Sequence, residues 1–196
     1  MAGRPRQFDE DQVLEQAMNA FWAHGFESTS MARLVEVTGL HKGSLYQAFG
    51  NKHTLFIKSL ERYLQAIKTQ KEELLASALT PLEGITSVLH RMLEIANDDE
   101  SCPRGCLAVN VLVELSPHDP EVRLIIDKFM DETIASMSES VSAAQQAGQI
   151  TKQRLSEQIT ALLMTFMSGL ATQMKGRFSK TDAHELLNAQ IESCIR

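Results

Sequence analysis

Apolar side chains recur along this chain at three- and four-residue intervals, the spacing that lines one face of an α-helix. Val13, Leu14, Ala17, Met18 and Phe21 form the first stripe. Asp9 and Gln12 precede it with the spacing of a capping box, and Gly25 supplies a stop. Ser30 is placed to cap a short second helix that buries Met31, Leu34 and Val35 and breaks at Gly39. A third helix begins near His41 and ends by Gly50, with Leu45, Ala48 and Phe49 inward. A long fourth follows over about 51–78, carrying Leu55, Phe56, Leu60, Tyr63, Leu64, Ile67, Leu74 and Leu75. Pro81 opens a fifth, striped by Leu82, Ile85, Val88, Leu89, Met92 and Leu93, and the acidic stretch 97–101 reads as a loop.

Residues 106–115 are apolar except for Asn110 and Glu114. Their β-branched content would suit a strand, but the helical surroundings predict a buried helix. Pro120 at a first helical position starts a long helix ending near Gly148, and residues 152–176 and 182–195 supply the last two. The pattern predicts an all-α fold of about nine helices. A three-helix, helix-turn-helix domain occupies residues 1–52 (with an arm over 1–8), and a larger helical domain occupies 53–196.

Composition narrows the class. The chain has 196 residues, 43% hydrophobic and 22% charged, ordinary globular values that exclude wholesale disorder. The longest uncharged run, Gln158 to Met174, carries too many polar side chains to read as a membrane span. The first residues lack the apolar core of a secretion signal, so a cytoplasmic location is expected. Three cysteines, Cys102, Cys106 and Cys194, are too scattered for a disulfide framework, and neither they nor the six histidines have metal-ligand spacing. No metal and no cofactor is expected. The net charge of −6 is uneven: residues 1–71 hold nine Lys and Arg against seven acids, and residues 72–196 hold ten against eighteen. The basic half suits a polyanionic partner.

The second and third helices, joined by Thr38-Gly39-Leu40, have the layout of a helix-turn-helix, in which Gly39 can take a positive φ. On the third helix Lys42, Gly43, Tyr46 and Gln47 share the face opposite Leu45, Ala48 and Phe49. An amide can pair with adenine edges, a lysine can reach guanine acceptors or phosphate, and a glycine permits close approach. Ser44 and the amides at the helix start can meet phosphate. Arg4 and Arg6 form a basic arm suited to the minor groove, and Lys52 stands at the start of the fourth helix, where it can clamp a phosphate.

The run from Gly25 to Leu34, then Gly39-Leu40-His41-Lys42-Gly43-Ser44-Leu45-Tyr46-Gln47-Ala48-Phe49, then Lys52-x-x-Leu55, resembles the DNA-binding domain of the TetR family of transcriptional regulators. The resemblance is rich in motifs over residues 8–60. It implies a homodimeric repressor of a double-stranded DNA operator, with a divergent second domain that binds a small-molecule effector and dimerises. It also implies that Thr29, His41, Lys42, Gly43, Ser44, Tyr46, Gln47 and Lys52 touch DNA. His41 stands where many members have Ser or Thr. Two half-sites about 34–36 Å apart, or a multiple of that, would make the operator a pseudo-palindrome.

In the second half, Ile159, Leu162, Leu163, Phe166, Met167 and Leu170 form one stripe, with Gly169 and Ala171 permitting close helix approach. Leu187, Ile191 and Ile195 form another. Such stripes suit either core or interface; the resemblance implies a four-helix dimer interface. Cys106, at a helix start beside Arg104, suits either a thiolate sensor of oxidants and electrophiles or a small packed hydrophobe. The stretch Gly105-Cys106-Leu107 with Val109 and Glu114 resembles the branch of the family typified by the N-ethylmaleimide reductase repressor. Asn110 and Glu114 can line an effector pocket or bond between helices. Met92, Phe129 and Phe166, together with other methionines, can wall it.

Two other function classes fit the residues less well. A helical enzyme lacks support: there is no Gly-x-Gly-x-x-Gly, no Gly-x-Ser-x-Gly and no His-Glu-x-x-His. A helical adaptor without DNA contacts would leave Lys42 and Tyr46 without a task.

Overall fold

The computed structural model describes residues 8–96 and 104–195. Among them are nine helices and no strand: α1 (Glu10–His24), α2 (Met31–Thr38), α3 (Lys42–Phe49), α4 (Lys52–Ser77), α5 (Pro81–Ala96), α6 (Leu107–Glu114), α7 (Pro120–Gln146), α8 (Ser156–Gln173) and α9 (Lys180–Ile195). Two compact units divide inside α4, at Ala66–Ile67, rather than at its start. The early part of α4 belongs to the first unit because its apolar face packs there. The Phe56 ring meets Phe21 at 5.2 Å and Phe26 at 5.0 Å, and Tyr63 meets Trp22 at 5.1 Å. Such edge-on aromatic contacts add to the burial of large apolar surfaces.

Local signals set the helix ends. The Asp9 carboxylate accepts from the Asp11 and Gln12 amides, and the Ser30 hydroxyl accepts from the Arg33 amide. Gly39 adopts φ 65°, the left-handed conformation that the turn into α3 requires. Asp119 caps α7 ahead of Pro120. The eighth helix is shorter than the expected 152–176: Gln145 Nε2 donates to the Thr151 and Arg154 carbonyls, holding residues 151–154 outside the helix.

In the second unit α5, α7, α8 and α9 enclose one apolar core that includes Leu89, Leu93, Met137, Leu163, Met167, Leu170 and Leu187. Leu163, Leu170, Leu187 and Ile191, expected at a dimer interface, are buried within this core. Phe166 and Met92 pack against its edge. Of the two stripes, Leu162 and Ile195 face outward, 46% and 43% exposed. The sixth helix is not buried all round: Leu107, Ala108 and Val111 face inward, while Val113 is 73% exposed. In the second helix only Leu34 and Thr38 are fully buried; Met31 and Val35 are half-buried.

Candidate nucleic-acid interface

In α3 the sequence separates into two faces. Leu45 and Phe49 are buried, which anchors the helix, and His41, Lys42, Gly43, Tyr46 and Gln47 are exposed around the opposite side. Ser44 and Ala48 sit between, half-buried. His41 is the N-cap residue and its side chain makes no cap bond. Lys42 Nζ lies 5.8 Å from the centre of the Tyr46 ring, so base and phenol occupy one patch of surface.

Gly43 is informative. A β-carbon there would meet nothing within 4 Å. Glycine inside a helix costs about 1 kcal/mol relative to alanine, and no contact among the described residues requires it. Its lack of a side chain opens this face to close approach from outside.

Two expected contacts have other partners. The Thr29 side chain is wholly buried, with its hydroxyl donating to the Gly25 carbonyl at 2.6 Å. It fixes the turn between α1 and α2 and does not share the outward face, which corrects its expected role. Lys52 Nζ donates to the Phe26 carbonyl at 2.9 Å and stands 4.1 Å from the Phe26 ring centre. It ties the start of α4 to the same turn, so at most two of its three N–H groups can serve a phosphate. The amide of Thr54 is likewise taken, by Asn51 Oδ1 at 2.9 Å. Arg4 and Arg6 lie outside the described residues. Arg62 pairs with Asp11, and Lys58 with Glu10 at 3.5 Å, so these bases fasten α4 to α1.

The second unit's polar positions are engaged internally. Asn110 Nδ2 donates to the Arg104 carbonyl at 2.9 Å, and its Oδ1 accepts from Lys175 Nζ at 3.3 Å. Asn110 therefore bonds between elements. Glu114 is half-buried, as are Phe129 and Cys106, which is the N-cap residue of α6. Gly105 has φ 66°, and a β-carbon on it would stand 2.9 Å from the Ala171 carbonyl oxygen. Leu107 is buried. Backbone geometry and packing thus account for the glycine and the leucine that flank Cys106. Among the described residues no cluster of His, Cys, Asp and Glu is placed to hold a metal, and no helix is long and apolar enough to cross a membrane.

Short α2 and α3 at a glycine turn, an anchored inner face and a polar outer one define a helix-turn-helix module, followed by a separate helical domain. Residues 13–58 match the tetR family of bacterial regulatory proteins, and residues 81–189 match the tetracyclin repressor-like C-terminal domain. The chain belongs to the TetR family. The HTH-type transcriptional repressor ComR of Escherichia coli K12 is 35% identical over 120 residues, 61% of this chain; the matched stretch spans 57% of ComR's own length. A cysteine-substituted CifR, a TetR family transcriptional regulator complexed with 26-base-pair operator DNA, is 28% identical. That match covers 98% of this chain and all of the CifR chain, with a TM-score of 0.84. Reduced NemR of Escherichia coli shares the fold at 22% identity and a TM-score of 0.81, over 95% of this chain and 96% of its own.

Proposed function

We propose that this protein is a cytoplasmic, homodimeric repressor, a regulator rather than an enzyme. It lays α3 of each copy into the major groove of a pseudo-palindromic operator. The outward face of α3 carries this reading. Gln47 reads a base edge; Lys42, Tyr46 and Ser44 hold phosphates; Gly43 lets the helix sit close; and His41 lies at the groove edge. The remaining donors of Lys52 and the arm with Arg4 and Arg6 add phosphate and minor-groove contacts. CifR, complexed with operator DNA and alike over nearly the whole chain, supports the same use of this fold.

The second copy docks on the outward faces of α8 and α9. Leu162 and Leu186 are 46% and 40% exposed there, and a β-carbon at Gly169 would meet nothing within 4 Å. As with Gly43, the glycine serves an approach from outside. A small molecule or a thiol-modifying electrophile in the second domain, near Cys106, favours a state whose recognition helices no longer match the half-site spacing. Coupling of about 1–3 kcal/mol would lower operator affinity roughly 5–150-fold.

Footprinting on the DNA upstream of the protein's own gene tests the reading. A protected pseudo-palindrome, with binding that weakens as salt rises, is expected; protection without two related half-sites would overturn the dimeric mode. Treating wild type and Cys106→Ser with a mild electrophile identifies the effector class. Release of wild type alone assigns the thiol, and equal behaviour assigns a non-covalent ligand.

A further inference from the structure

Phe26 stands in the turn between α1 and α2 and holds Lys52, the first residue of α4, in two ways. Its carbonyl accepts from Lys52 Nζ at 2.9 Å, and its ring centre lies 4.1 Å from the same nitrogen. That carbonyl also accepts from the Thr29 amide at 3.2 Å, which occupies both of its lone pairs. The ring is itself held. It stacks on Phe21 at 6.0 Å and meets Phe56 and His53 edge-on at 5.0 and 6.1 Å. Phe26 and Lys52 are both half-buried, so the pair reaches the surface of the first unit.

Neutral partners set this lysine apart from other bases of its helix. Lys58, Arg62 and Lys68 each pair with a carboxylate, on Glu10, Asp11 and Glu132. Among the described residues no carboxylate pairs with Lys52. A carboxylate would fix the amine but cancel its charge. A carbonyl dipole and the negative face of a ring fix it and leave the charge for an anion from outside. A lysine head is otherwise mobile, and ordering such a side chain on binding weakens a complex. With one donor on the Phe26 carbonyl, Lys52 has two left and presents them from a fixed point.

We infer that Phe26 is a positioning residue for operator binding: its ring and carbonyl hold the Lys52 ammonium, still charged, where a backbone phosphate accepts from it. Phe26 acts through Lys52 and makes no DNA contact of its own. The inference rests on the reading of the first unit as operator-binding and deepens it.

A double-mutant cycle on operator affinity tests it, read by anisotropy on DNA upstream of the protein's own gene over a range of salt. Lys52→Met should weaken binding and lower the slope of log affinity against log salt by about one for each bound copy. Phe26→Leu, which removes the ring face, should weaken binding roughly 3- to 10-fold for each copy. Phe26→Tyr, which keeps that face, should bind as wild type does. On the Lys52→Met background, Phe26→Leu should cost nothing further. A ring that serves packing alone would cost the same on both backgrounds, and that result would overturn the assignment. So would a Lys52→Met variant with the affinity and salt slope of wild type, which leaves the regulator reading intact. No selective binding by wild type would overturn both. Phe26→Met, which keeps the bulk of the side chain without a ring, replaces Phe26→Leu if melts show the latter unfolded.

Discussion

The two units use their polar side chains in opposite ways. On α3, Lys42, Gly43, Tyr46 and Gln47 turn outward, while Leu45 and Phe49 hold the helix from behind. In the second unit the polar groups singled out for a ligand turn to their own chain: Asn110 spends both ends of its amide on the Arg104 carbonyl and on Lys175. A surface for a rigid, repeating partner such as DNA is displayed in advance. A domain for a small ligand keeps its chemistry inside, where packing competes with it.

Substitutions can sharpen this contrast, and core truncation should have the largest effect. Leu187→Ala removes a fully buried side chain and should cost about 2–5 kcal/mol in a urea melt. Leu162→Ala on the outward face should leave protomer stability within about 0.5 kcal/mol but weaken the dimer in sedimentation. Equal losses of stability would erase the division between core and docking face.

Glycines come next. Gly105→Ala forces a β-carbon to 2.9 Å from the Ala171 carbonyl at φ 66° and should destabilise by about 2–3 kcal/mol. Gly43→Ala should do the reverse, raising thermal stability by up to about 1 kcal/mol while lowering operator affinity. If Gly43→Ala bound DNA as well as wild type, close approach at that position would have no part in recognition.

Thr160 should give a gain similar to that of Gly43→Ala. Its hydroxyl is buried without a hydrogen-bond partner, so Thr160→Val should stabilise by about 1 kcal/mol, measured by the urea midpoint.

The smallest effect concerns pH. His90 and His184 face each other with Nδ1 atoms 2.7 Å apart, and His90 Nε2 meets Asn188 Oδ1 at 3.0 Å. An amide oxygen only accepts, so His90 Nε2 carries a proton and His90 Nδ1 accepts from His184. Burial, the facing His90 and Lys180 lower the His184 pKa, and Glu94 opposes them in part. A histidine whose folded pKa is depressed stabilises the fold above its unfolded value, near 6.5, and that stability is lost as pH falls through the folded pKa. Wild type should therefore lose stability below about pH 6.5 more steeply than His184→Gln in parallel melts.

The helices and the α3 face were legible in the sequence because helical periodicity, caps and glycine stops are local. Leu45, Phe49 and Gly39 stand where the pattern puts them. What escaped depends on contacts across the fold. Thr29 reads as a surface hydroxyl until the Gly25 carbonyl is found 2.6 Å away. Lys52 reads as a phosphate clamp until the Phe26 carbonyl accepts a hydrogen bond from one of its N–H groups. The stripe through Leu163 and Leu170 suits a core and an interface equally, and only the packing of α5, α7 and α9 around it decides for core. Val113 and Leu124, 73% and 72% exposed, share the residue types of buried positions, and no period separates them.

Operator binding by the outward face of α3 is open to direct test. Fluorescence anisotropy on DNA upstream of the protein's own gene, for wild type and for the Lys42→Ala, Tyr46→Ala double variant, tests it most directly, with thermal melts of both proteins. Selective, salt-weakened binding by wild type is expected, with a loss of roughly 100-fold or more in the double variant and an unchanged melting midpoint. Equal affinity of the two proteins, or no sequence-selective binding by wild type, would contradict it.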